Sequence, residues 1–145
     1  MAHTSTYLNF DGTTEAAFTF YKSIFGTEFV NGIARMGDVP VQEGQPELSA
    51  EQKQLVVNVA LPILGGHILM GTDATESMGF SLNQGNNVHI CLTADSRAEA
   101  DALFASLVAG GAAEMPMMDM FWGDYFGSLV DRYGVQWMVT APGAS

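Results

Sequence analysis

The chain spells one supersecondary unit twice, and that repetition restricts its possible folds more than any other feature. Residues 5–10 (STYLNF) read as a strand. Thr13 then offers an N-cap ahead of Ala17, Phe20, Tyr21, Ile24 and Phe25, the i, i+3, i+4, i+7, i+8 stripe of an amphipathic helix that Gly26 stops. An offset of 83 residues leads to the second copy, where residues 88–94 read as a strand and Ser96 with Glu99 forms an S-x-x-E capping box. Ala100, Leu103, Phe104, Leu107 and Val108 repeat the apolar stripe, and Gly110-Gly111 ends it. Three strand candidates follow each helix: 28–36, 54–61 and 67–72 in the first copy, and 113–118, 125–130 and 135–140 in the second. The pattern β-α-β-β-β, written twice, predicts an α+β fold: one domain made of two modules, about 5–73 and 86–140.

Two stretches break the symmetry. Residues 37–53 (GDVPVQEGQPELSAEQK) hold two prolines, two glycines and four acidic residues without a strong period, so they predict a long loop with a helical turn near Ser49 to Gln52. Residues 73–86 are polar and join the copies, with Met78 and Phe80 available to line a pocket mouth. Near the C-terminus, Asp131-Arg132-Tyr133-Gly134 has turn chemistry. Val135, Trp137 and Val139 then alternate with Gln136, Met138 and Thr140, as in a strand with one face in a core.

Charge and composition exclude several roles. The 145 residues are 48% hydrophobic, enough for one core, and carry a net charge of −11 with only five Lys plus Arg. Phosphate-backbone binding needs clustered basic residues, so nucleic acid is not an expected partner. No apolar run of spanning length and no basic start followed by an apolar segment occurs, so the sequence predicts a cytoplasmic protein without membrane insertion. The one cysteine, Cys91, lies in an apolar strand pattern and reads as a packed thiol. The glycine-rich phosphate loops, the G-x-S-x-G elbow and H-E-x-x-H are missing, and no glycine-rich loop is present to hold a methyl donor.

Several motifs in order now resemble a known family. Tyr7-Leu8-Asn9-Phe10-Asp11-Gly12, Glu15-Ala16 and Phe20-Tyr21 open the chain, and Phe121-Trp122-Gly123-Asp124 and Asp131-Arg132-Tyr133-Gly134-Val135-Gln136-Trp137 close it. Together they are similar to the PhnB-like branch of the vicinal-oxygen-chelate superfamily, which contains glyoxalase I, bleomycin-resistance proteins and extradiol dioxygenases. The resemblance covers essentially the whole chain. It implies paired βαβββ modules whose curved mixed sheets surround a cavity, and a homodimer. It implies no single reaction, since members isomerise, cleave rings, add thiols or sequester drugs.

Metal-dependent relatives take ligands from the first and last strands of each module. His89 resembles the usual strand ligand, the 83-residue offset makes Thr6 its counterpart, and aligning Gly134 with Gly66 adds Met138 and Met70. Of that quartet only His89 suits zinc, magnesium, manganese or iron, because threonine is a weak neutral ligand and a thioether prefers copper(I). No cofactor is therefore expected, with a divalent metal on His89 as the alternative. His89 itself reads either as a hydrogen-bonded cavity histidine or as a ligand-orienting or general-base group. His3 and His67 read as exposed. Trp122, Asp124 and Tyr125 read either as a packed turn or as the mouth of a ligand cavity, with aromatic faces for a flat ligand and Asp124 for a donor or cation. Met117, Met118 and Met120 read as adaptable filling. The expectation is a metal-free small-molecule-binding cavity protein, with Thr6, Met70, His89, Trp122, Asp124, Tyr125 and Met138 as candidate ligand contacts. The alternatives are a metal-dependent lyase or dioxygenase, and a metal-independent enzyme using His89.

Overall fold

Each half of the chain builds the same kind of sheet. The computed structural model describes residues 1–143, which divide into two compact units, one from Met1 to Asn83 and one from Gln84 onward. The first unit runs β1 (Thr6–Phe10), α1 (Thr14–Phe25), β2 (Ile33–Arg35), α2 (Ala50–Gln54), β3 (Val56–Pro62) and β4 (Ile68–Asp73). Its sheet has the order β1-β4-β3-β2, with β1 parallel to β4 and the other pairs antiparallel. The second unit runs β5 (Ile90–Thr93), α3 (Arg97–Val108), β6 (Ala112–Asp119), β7 (Tyr125–Val130) and β8 (Gln136–Ala141), in the matching order β5-β8-β7-β6 with β5 parallel to β8. The βαβββ repeat is thus present twice, as two open mixed sheets accompanied by three α-helices among the described residues.

Local chemistry explains where the elements begin and end. Thr13 makes no side-chain cap on α1; the Asp73 carboxylate at the end of β4 accepts from the Thr14 N–H at 3.1 Å and from the Val56 N–H at 2.8 Å. A strand end thus caps the helix start. On this helix Thr14, Ala17, Phe18 and Tyr21 face the sheet, in place of the stripe through Phe20. Phe18 packs edge-on against Phe10 and Tyr21, and Gly71 on β4 leaves room for its ring. Gly26 closes α1 in the left-handed conformation, as its type predicts. The expected strand over 28–36 shrinks to three residues, because Asn31 and Gly32 both take positive φ and break the extended run. In the 37–53 loop Ser49 and Gln52 form a reciprocal capping box that starts α2.

In the second unit Ser96 accepts from the Glu99 N–H, and α3 buries Ala100, Leu103 and Leu107 on the sheet side. Leu129, Trp137 and Val139 form the sheet's part of this core. The β7–β8 turn is held by Asp131, whose Oδ1 accepts from the Tyr133 and Val135 N–H groups and whose Oδ2 accepts from Trp137 Nε1 at 2.9 Å. Asp131 is 3% exposed, so these are buried, charge-assisted bonds. Among the described residues no helix is long and apolar enough to cross a membrane.

The pairing registers refine the repeat. Tyr7 lies opposite Met70 and Cys91 opposite Met138, so with Met70 and Met138 equivalent, the first strands correspond at an offset of 84 residues, one more than the sequence pattern suggests. Thr6 therefore matches Ile90, and His89 matches Ser5.

Candidate functional site

One residue of register decides which side chains share a face, because strand side chains alternate. In the first sheet Thr6 pairs with Leu69 and points to the side covered by α1, whereas Met70 pairs with Tyr7 and points to the other. The structure thus separates Thr6 from Met70, and the predicted quartet does not form as drawn. Thr6 Oγ1 instead lies 2.8 Å from Nε2 of His67, which is half-buried rather than exposed. The outer face of this sheet carries Tyr7, Asn9, Asn58, Met70 and Thr72, with neither imidazole nor carboxylate among them.

The outer face of the second sheet is chemically richer. His89, just before β5, and Met138 on β8 do share it, as alternation along the strands predicts, together with Cys91, Ser128 and Gln136. The structure adds a partner for His89: its Nε2 lies 3.0 Å from Oε1 of Glu114 on β6. Strands β8 and β7 stand between β5 and β6, about 14 Å at the usual strand spacing, and α3 occupies the opposite face. The pair therefore reaches across the outer face, with both side chains laid over it. The pairing of β6 with β7 shifts register between Ala113 and Met115, so Glu114 is the extra residue of a β-bulge. Bulges re-aim side chains, and this one turns Glu114 toward His89.

Beneath the pair lie Gln136 and Ser128, 7% and 5% exposed. Gln136 Nε2 donates to the Val88 carbonyl at 2.9 Å, which leaves its Oε1 as an acceptor. Ser128 has no side-chain hydrogen-bond partner among the described residues. With Glu114 accepting at Nε2, the imidazole proton sits there, and Nδ1 presents a lone pair when the ring is neutral. Farther along the same face Phe126 pairs with Met118, and Met115 with Ser128, so an apolar stretch adjoins the polar end.

The aromatic cluster near the C-terminus divides. Trp122 Nε1 donates to Asp124 Oδ2 at 3.1 Å, and the Trp122 ring meets Phe126 and Phe121 edge-on. Asp124 is thus taken up by the turn, while Trp122 remains 53% exposed beside the outer face. Tyr125 does not join them. It pairs with Ala141 on the helix side, where its hydroxyl donates to Asp101 and its ring lies under Arg97, itself paired with Asp119. The Asp101 carboxylate raises the Tyr125 pKa above the ordinary phenol range. Because the folded value is raised, this bond stabilises the fold below the ordinary phenol pKa and is lost as pH climbs through the raised one. Asp101→Asn is expected to bring the Tyr125 transition to lower pH in a tyrosinate-absorbance titration; an unchanged midpoint would refute the assignment.

A cavity of about 600 Å³ opens elsewhere in the first unit, lined by Glu15, Ser49, Gln52, Leu55, Asp73 and Thr75 among others. None of the predicted site residues lines it, and neither do Met78 and Phe80. Two of its three carboxylates already serve the fold: Glu15 is paired with Arg35 and lies below its ordinary pKa for that reason, and Asp73 caps α1, while the third, Glu51, is exposed in the first turn of α2. We place the candidate site on the second sheet's outer face.

Metal ligation fits these residues poorly. Among the described residues no three His, Cys, Asp or Glu side chains gather closely enough to hold an ion. His89 and Glu114 supply two donors and spend them on each other, short of the three or four a zinc-type centre requires.

Solved structures share this architecture. Similarity to a glyoxalase/bleomycin resistance protein/dioxygenase family enzyme from Burkholderia phytofirmans PsJN reaches a TM-score of 0.64 at 17% identity, over 94% of this chain and 97% of that one. The fold is that of the glyoxalase/bleomycin-resistance proteins. Protein PA1353 of Pseudomonas aeruginosa is more similar, with a TM-score of 0.82 and 30% identity over 99% of this chain and 100% of the other. A PhnB protein from Bacillus cereus follows with 0.72 and 28%, over 97% and 99%. Residues 2–140 match the model of the family described as 3-demethylubiquinone-9 3-methyltransferase, and the chain belongs to that PhnB-like family.

Proposed function

We propose that this is a metal-free, cytoplasmic small-molecule-binding protein whose site is the outer face of the second sheet. The observation that carries the reading is the His89–Glu114 pair held over Ser128, a hydroxyl on a residue only 5% exposed and without a partner among the described residues. Among the described residues the one buried side-chain oxygen or nitrogen left unsatisfied is Thr14 Oγ1, so the Ser128 hydroxyl opens onto this face, where water or a guest can bond it. The apolar stretch of Phe126, Met115 and Met118 supplies contact area beside these polar groups. Methyl transfer, named in the family's description, is not part of this proposal.

The large exposed side chains of the second unit, with Phe121 98% and Trp122 53% accessible, support a homodimer. A monomeric mass at micromolar concentration would refute it. A thermal-shift panel of small molecules on the wild type and His89→Ala tests the site: hits that survive the substitution unchanged would remove His89 from it. Stoichiometric zinc, nickel, iron or manganese in purified protein, removable by chelators, would overturn the metal-free assignment.

The partner of His89 also favours a second reading, metal-independent acid–base catalysis. A carboxylate that fixes an imidazole by one nitrogen leaves the other oriented for proton transfer. Turnover abolished by His89→Ala and insensitive to chelators would establish it.

A further inference from the structure

We infer that this face selects neutral or weakly acidic O–H and N–H donors on a flat apolar body and rejects anions of the same shape, and that Glu114 makes that selection. The inference rests on the reading of the outer face as a binding site. Three of its features point the same way.

First, the polar groups offered to a guest are chiefly acceptors. His89 gives its Nδ1 lone pair because Nε2 is committed to Glu114, and Gln136 gives Oε1 because its amide N–H₂ is turned to the Val88 carbonyl. Ser128 is the one adaptable group of these three, since a hydroxyl both donates and accepts. A guest with one acidic O–H, such as a phenol, meets a matched acceptor at His89 and a hydroxyl at Ser128. Second, Glu114 brings a carboxylate to the rim, 38% exposed at its side chain, in a chain of net charge −11, and no Lys or Arg among the described residues is paired with it. An anionic guest would stand beside that charge in a half-buried setting and be repelled. Third, the strand period fixes the guest's shape. Ser128 and Phe126 are two residues apart on β7, about 7 Å, so a ring anchored by its hydroxyl beside Ser128 would lie against Phe126 and Met115.

Selection is separable from binding by using one body with two head groups. Wild-type protein is titrated at neutral pH with 4-cyanophenol and with 4-cyanobenzoate, following the His89 imidazole proton and the Met115 and Met138 methyl resonances by NMR. The phenol is expected to shift all three and to bind about tenfold more tightly than the benzoate, the effect of one matched hydrogen bond set against a repelled charge. Glu114→Gln, which keeps the side-chain shape without the charge, should bring the two probes within about twofold. Ser128→Ala should weaken the phenol alone. If the benzoate binds as well as the phenol and shifts the same resonances, the face is a binding site but the selection is wrong. A ratio left unchanged by Glu114→Gln would likewise overturn the selection and leave the binding face standing. If neither probe moves these resonances, both the selection and the binding face are overturned.

Discussion

Asp131→Ala is expected to cost about 3–5 kcal/mol of folding stability, the sum of buried donors left without an acceptor. Three N–H groups converge on this carboxylate: the backbone of Tyr133 and of Val135, and the indole of Trp137. Trp137 is wholly buried at the centre of the second core, so its orphaned N–H cannot turn to water. Asp131→Asn separates the contributions. The amide oxygen can still serve the two backbone donors, but its nitrogen then faces the indole N–H, donor against donor, and about 1–3 kcal/mol is lost. Urea unfolding followed by tryptophan fluorescence measures both. If Asp131→Ala unfolds at the wild-type midpoint, the carboxylate is not what holds the β7–β8 turn.

Gly71→Ala is the second large effect, and it works by crowding rather than by loss. A methyl group at this position in β4 would stand 2.4 Å from Cε1 and 2.9 Å from Cζ of Phe18, and 3.1 Å from Cγ2 of Thr14. Phe18 is completely buried between Phe10 and Tyr21, so its ring cannot swing out of the way freely. The helix must lift from the sheet, at a cost of about 1–3 kcal/mol. Phe18→Leu in the same chain should recover part of that loss by removing the clashing ring atoms. If the double variant is as unstable as the sum of the two singles, α1 does not lift for the reason given.

The architecture was legible because periodicity reports burial directly. The two helical stripes, the Gly26 stop, the Ser49–Gln52 turn and the final hairpin all follow from side-chain spacing and turn chemistry, which act over a few residues. The helix phase was less legible: Phe18 replaces Phe20 in the core where Gly71, far along the chain on β4, leaves the space that its ring fills. The same limit governs the site. His89 and Met138 could be placed on one face from alternation alone, but the 83-residue offset put Thr6 on the wrong side of its sheet by a single step of register. Proximity in sequence groups Tyr125 with Trp122 and Asp124, whereas alternation sends it to the helix side. Glu114 carried no local signal, because its meeting with His89 depends on a strand order and a bulge that no window of sequence contains.

That bulge has a consequence for how the family can vary. Upstream of Glu114 the pairing of β6 runs in one phase, and downstream it runs in another, with Ala113 opposite Leu129 but Met115 opposite Ser128. Deleting Glu114 would leave Ala113 opposite Leu129 and Met115 opposite Ser128, so every neighbouring side chain would keep its face and only the carboxylate that reaches His89 would be lost. The strand can therefore gain or lose the charged group at the rim as a unit, while the hairpin behind it, anchored by Asp131, stays in place. Relatives that differ by one residue in this strand would be expected to differ in what they recognise far more than their overall identity suggests.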